Sequence, residues 1–316
     1  MEKRTLVKSG VSSFIVALPV GWIRRNKLDK GDEVTIDENE KGDLVIQAEK
    51  EMSIPTTYYT IKVREDNQET IYWELLKAYL HNYSTVNIEG ENISSMSPKV
   101  LQNIKDFIGL DIIEQTKDTI VLKNFSSYDT ETSPYSLLKK MDVGIRSMFD
   151  MIRIFYSKSF HQEDVLELTA QHEYNDRVYL FTIKIINSIL DSPQLMKVFK
   201  TDYRQLTKEH IMVNSLKQVS FYFNQIGKLL LFIEKKDSSL IKEIVETLDK
   251  KYRTIITLPK SSLSKELMLA LQESERYANK LESALKTIKN PSLIEIISYS
   301  LTLNNLLDQL AIEIMS

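Results

Sequence analysis

A chain of 316 residues that is 42% hydrophobic and 27% charged, with a formal net charge of −3, has the composition of a soluble globular protein and length for roughly two or three domains. It contains no cysteine, which excludes disulfides, thiolate metal sites and cysteine nucleophiles. The near-neutral total excludes indiscriminate coating of nucleic acid, so any such role must belong to a local patch. No apolar run approaches the roughly 18 residues that span a bilayer. The basic N-terminus leads into Gly, Ser and short strands, not into a signal-peptide core. The expectation is a cytoplasmic protein with no membrane insertion.

In chain order, "TLVKSG" and "SFIVALP" form β-rich runs around a Gly10–Ser13 turn, and "PVGWIRRN" forms a short helix with Pro19 near its first turn. "EVTIDENEKGDLVIQ" then forms a hairpin that turns near Lys41-Gly42. Charge is unevenly laid out here. Residues 1–30 hold Lys3, Arg4, Lys8, Arg24, Arg25, Lys27 and Lys30 against Glu2 and Asp29, a balance of +5. Residues 31–50 hold two lysines against seven acids, a balance of −5. A segment so neutral in sum and so polar in layout suits recognition of a polyanion. Residues 1–50 make a poor core with unpaired strand edges, so homodimerisation through these strands is expected. Trp22 and Ile23 are expected to be buried, because a short helix must bury something.

Residues 53–125 alternate as β-α-β-α-β-β, from "TTYYTIKV" through "ETIYWELLKAYLHNY" to "TIVLKN", a small α+β connector. The polar stretch "SSYDTETSP" (126–134) reads as a linker, and from 135 to 316 helical periods dominate. Leu138, Met141, Ile145, Met148, Ile152 and Phe155 mark one stripe. Met212, Leu216, Val219, Phe223, Ile226, Leu230 and Ile233 step 4-3-4-3-4-3 along a helix placed at 211–233. Leu267, Leu271, Ser274, Ala278, Leu281, Leu285 and Ile288 repeat those steps, interrupted by the serine. A last helix runs from about Ser292 to Met315. Two successive bundles of about three helices each, an internal duplication, are expected. The fold class is multidomain α+β.

Catalytic signatures are missing from the sequence: it has no Gly-rich phosphate loop, HExxH or GxSxG. His81, His161, His172 and His210 lie far apart. With no nucleophile and base pair in view, the expectation is a non-enzyme without a cofactor.

"KRTLVKSGVSSFIVALPVGWIRRNKLDKGDEV" resembles the SpoVT/AbrB (MazE-like) swapped-hairpin DNA-binding domain. The segments "LLKKMDVGIRSMFDMI", "EDVLELTAQHEYNDRVYLFTIKII" and "MVNSLKQVSFYFNQIGKLL" resemble PhoU, the phosphate-uptake regulator. The stretch "LLKAYLHNYSTVNIEGENISSMSPKVLQNIKDFIGLDIIEQTKDTIVL" is similar to the connector of archaeal proteins that fuse the two. The first resemblance implies a homodimer whose interleaved hairpins present a basic surface to DNA, with Arg4, Lys8, Arg24, Arg25 and Lys27 as the DNA-contacting residues. The second implies PhoU-like bundles that relay phosphate status.

The acidic motifs that hold metal ions in PhoU proteins are only partly kept. Glu173 and Asp176 are the weak metal candidates, with His172 on the same face at helical spacing. Lys217 and Phe221 stand where the opposing acids would be, and a lysine repels a cation. No metal is therefore expected, and Asp164, Glu167 and Asp308 read as solvated acids. The resemblance thus favours a transcriptional regulator of phosphate uptake. The alternative is an adaptor that does not bind DNA and docks on a phosphate transporter or its signalling kinase. An antitoxin is disfavoured by length, since antitoxins are usually short with a disordered tail.

Overall fold

The computed structural model describes residues 3–38, 42–48, 57–64, 70–126, 130–157, 160–257 and 265–315. The chain is mixed α+β and mostly helical, and its contacts divide it into two compact units, Met1–Pro55 and Thr56–Ser316.

The first unit holds two antiparallel hairpins and one short helix. β1 (Val7–Ser9) pairs with β2 (Ser13–Ile15), α1 (Val20–Arg25) follows, and β3 (Val34–Glu38) pairs with β4 (Leu44–Ala48). Gly10 at φ +75° supplies the left-handed backbone that the first hairpin turn needs. Lys41 of the second turn lies outside the described residues. No described residue of this unit is buried. That corrects the expectation for Trp22 and Ile23, which are half-buried: a helix of six residues between two two-stranded hairpins has no third layer to bury it.

The second unit begins with a four-stranded sheet of order β5-β6-β8-β7. β5 (Tyr58–Lys62) runs parallel to β6 (Thr85–Glu89), with α2 (Ile71–Leu80) as the crossover. α3 (Ser97–Ile104) then leads to the antiparallel β7 (Leu110–Gln115) and β8 (Thr119–Asn124), with β8 also paired to β6. Period-two alternation sets the buried face. Val86 and Ile88 stand opposite Leu122 and Ile120, and all four are buried, as are Leu75, Ala78 and Tyr79 of α2.

The helical remainder is α4 (Pro134–Ser157), α5 (Gln162–Leu190), the short α6 (Pro193–Val198), α7 (Tyr203–Leu230), α8 (Ser238–Thr257), α9 (Lys265–Leu285) and α10 (Pro291–Met315). α4, α5 and α7 pack on one another, as do α8, α9 and α10, and the two trios meet through α7 with α10 and α4 with α8. The helix starts carry legible stop-and-start chemistry. Ser133 Oγ accepts from the Ser136 amide at 3.2 Å, Asp202 Oδ1 from Gln205 at 2.7 Å and Asn290 Oδ1 from Leu293 at 3.3 Å. The Asp202 cap explains why α7 starts before the apolar stripe predicts, at Tyr203, and Ile233 falls beyond its end. In α9 the buried partner of Ser274 is Tyr277, while Ala278 is only half-buried.

Gly144 in α4 lets α5 approach closely: a Cβ there would lie 2.2 Å from Asn175 Oδ1 and 2.6 Å from Gln171 Nε2. Asn175 is fully buried and its amide donates to Ser220 Oγ at 3.0 Å. Gly144→Ala should gain about 1 kcal/mol of helix propensity. Displacing Asn175 should more than offset this, for a net loss of roughly 1–2 kcal/mol by urea denaturation. A stabilised variant would show that the two helices separate freely.

Candidate functional site

The five predicted DNA contacts fall in two groups on the first unit, and all five are exposed. Arg4 lies just before β1, and Lys8 sits inside it, opposite Phe14. Arg24 and Arg25 form the last turn of α1, where their charge also complements the negative end of the helix. Lys27 follows in the left-handed conformation, φ +51°. There the Leu28 amide donates to Ile23 O and the Lys27 amide to Arg24 O, both at 3.1 Å, so the chain closes a Schellman turn. Glycine normally takes that position. A lysine there accepts local backbone strain and fixes its Cα against the end of the helix. The neighbouring acids are occupied by the next turn: Asp32 Oδ2 accepts from the Asp29 amide at 2.7 Å and Asp29 Oδ1 from the Lys30 amide at 2.8 Å. Arg24 and Arg25 of α1 face solvent.

In the first helix trio, His172, Asp176 and Ser220 come together. His172 Nδ1 lies 3.0 Å from Ser220 Oγ, and His172 Nε2 lies 3.7 Å from Asp176 Oδ2. Burial pushes the His172 imidazole below its ordinary range and the Asp176 carboxyl above its own, with each partner opposing the other's shift. By residue type this is a nucleophile, base and acid in sequence. Yet Ser220 is fully buried, and its Oγ also accepts from Asn175 and points at Met148 Sδ, 3.4 Å away. No substrate can reach it without opening the bundle.

Glu173, the other metal candidate, is exposed, and its charge acts on both members of the His172–Asp176 pair. Lys217 lays its ammonium 4.5 Å from the centre of the Tyr179 ring, and Phe221 packs edge-on to His172. Among the described residues, no group of three or more His, Asp or Glu side chains is placed to hold a metal ion.

Two acids read as solvated, both half-buried, are also bonded within the fold. Asp164 closes a capping box at the start of α5, accepting from the His161 amide at 2.7 Å. Asp308 lies in a buried network of the second trio. There Lys251 Nζ is 2.7 Å from Asp308 Oδ1 and donates to Ser274 Oγ at 2.9 Å and to Asn304 O and Oδ1, both at 2.8 Å. Ser274 Oγ in turn donates to Asp308 Oδ2 at 2.6 Å. Burial lowers the Lys251 ammonium, and the bond to Asp308 opposes that shift. Four oxygens around one nitrogen form a site already filled by a tethered cation. The serine that interrupts the α9 stripe was the one sequence signal of it. Glu167 is exposed, as expected of a solvated acid.

Among the described residues no helix is long and apolar enough to cross a membrane. Compared with known protein families, curated proteins and solved structures, the chain matches none.

Proposed function

We propose that the chain is a DNA-binding transcriptional regulator of phosphate uptake, built as a homodimer through its first unit, with the helical trios relaying the signal. One observation carries the reading. Arg4, Lys8, Arg24, Arg25 and Lys27 are exposed on a small unit that buries none of its described side chains, while large apolar residues such as Leu6, Val11, Phe14, Ile36 and Leu44 also face solvent. So many exposed apolar side chains on a unit with no core call for a partner. Two interleaved copies supply that partner and double the number of cations that meet phosphates across a dimer axis. The swapped-hairpin resemblance supports this arrangement. The phosphate role rests on the resemblance of the helical part to PhoU.

Fluorescence anisotropy on DNA from upstream of the protein's own gene, at several salt concentrations, tests the reading. The Arg24→Ala, Arg25→Ala double variant should lose about four phosphate contacts per dimer and flatten the log–log salt slope by roughly three to four. Its fold should persist, because exposed cations contribute little to stability. A double variant with wild-type affinity and wild-type slope would remove the basic face from DNA recognition. The adaptor that docks on a phosphate transporter or its signalling kinase would then be the better reading.

A further inference from the structure

Lys184 in α5 is 0% exposed. Its Nζ donates to Asn124 Oδ1 and Ser126 Oγ, both at 2.8 Å, and lies 4.4 Å from the centre of the Tyr79 ring and 5.7 Å from that of Phe181. Both oxygens are neutral. Lys251, the other buried lysine described above, has Asp308; Lys184 has no carboxylate partner among the described residues.

The groups around Lys184 belong to the sheet layer. Asn124 ends β8, Ser126 follows it, and Tyr79 sits on α2. Asn124 Nδ2 donates to Asn82 Oδ1 at 2.9 Å, and the Tyr79 hydroxyl donates to Ile108 O at 3.0 Å. From α5, Asn187 Nδ2 donates to Leu80 O at 3.3 Å. The seam between sheet and bundle is thus a polar knot with one amine at its centre.

Charged groups on the elements packed around it are engaged elsewhere or face solvent. Glu74 of α2 accepts from the Tyr59 hydroxyl, and Lys77 lies over the Tyr59 ring. Lys123 of β8 lies over Phe125. Glu209 of α7 is buried and accepts from Gln205 at 2.7 Å, while Asp142 and Arg146 of α4 bond each other. Asp191 caps α5 beyond Asn187 and is exposed. On the turn after α3, Lys105 is exposed and Asp106 acts on Tyr72.

We propose that Lys184 is a proton-operated latch between the sheet layer and the helical bundle: its uncharged amine holds the seam closed, and protonation favours opening. Burying an ammonium against neutral oxygens and two ring faces, without a carboxylate, is costly, whereas the free amine fits the same pocket with less penalty. Burial pushes Lys184 down to about 7. In the open seam it would return to the ordinary lysine value of about 10.4. Between those values opening takes up one proton, so the opening equilibrium should fall about tenfold for each pH unit of rise, and flatten below about pH 7 where both forms are protonated.

Hydrogen–deuterium exchange on the full chain tests this, with rates corrected for intrinsic base catalysis. The reporters are the seam amides of Asn124 and Phe125, which donate to Ser84 O at 3.0 Å and Gly109 O at 2.7 Å. Wild-type protection should rise about tenfold per pH unit from roughly pH 7.5 to 9.5. Lys184→Met should be better protected at neutral pH and lack that slope. Equal slopes in the two proteins, or no slope in the wild type, would overturn the latch. Should the variant fail to fold, the wild type alone decides through its 13C-labelled lysine Cε signals. One signal should titrate near neutral pH, and a protein in which every lysine titrates above about pH 9 has no such latch.

Discussion

Asp308→Ala is expected to destabilise the protein by about 3 kcal/mol, while Lys251→Met combined with Asp308→Leu should recover most of that loss. The asymmetry follows from what each change leaves behind. Lys251 is only 6% exposed at its side chain and Asp308 is 26% exposed. Removing the carboxylate alone strands an ammonium in the second helix trio, with only the neutral oxygens of Ser274 and Asn304 around it. Removing both charges strands no ion and puts apolar volume where two charges had been desolvated. Ser274 would still lose the acceptor of its hydroxyl, now bonded to Asp308 Oδ2, so full recovery is not expected. Urea denaturation of the three proteins checks it. A loss below about 1 kcal/mol for Asp308→Ala would mean that solvent solvates Lys251 as well as the carboxylate does.

The regular parts of the fold were legible because they depend on local periodicity. The alternation in β6 and β8 places Val86, Ile88, Ile120 and Leu122 inside, and the 4-3 steps of α4 and α7 place Met141, Ile145, Met148, Leu216, Val219 and Phe223 inside. The apolar stripe alone did not reach the start of α7, which the Asp202 cap sets at Tyr203. Lysines 184 and 251 were not legible, because a lysine in a helix is ordinarily exposed and only tertiary partners distant in sequence, Asn124 and Ser126 for one and Asn304 and Asp308 for the other, reveal the exception. The His172, Asp176 and Ser220 cluster was half legible: the i,i+4 pair lies in one helix, but the serine arrives from α7, 48 positions from His172. In the first unit the exposure of all five cations followed from their charge. The poor core followed from the unit's length, but the incomplete burial of Trp22 and Ile23 did not follow from pattern, since they occupy a helix that the unit cannot cover.

Ile36→Asp should turn a dimer into a monomer in light scattering of the full chain, with dissociation made roughly a thousandfold easier. β3 and β4 pair with Val34 opposite Ala48, Ile36 opposite Ile46 and Glu38 opposite Leu44, so period two gathers Val34, Ile36, Leu44 and Ile46 on one face of the hairpin. Within the single chain Ile36 is 57% exposed and Leu44 is 68% exposed. If the chain were a monomer, an aspartate on so open a surface would change stability by less than about 0.5 kcal/mol. If two copies cover this face, each dimer loses two buried isoleucines at about 2 kcal/mol apiece, or about 4 kcal/mol before any penalty for burying the new carboxylates. The same variant should lose DNA affinity with its dimer, because half the cations leave the complex. Thr35→Asp is the control, placed on the opposite face of the same strand, and should leave the dimer intact. A protein that is monomeric before any substitution, or an Ile36→Asp variant as dimeric as the wild type, would show that this apolar face is not where two copies meet.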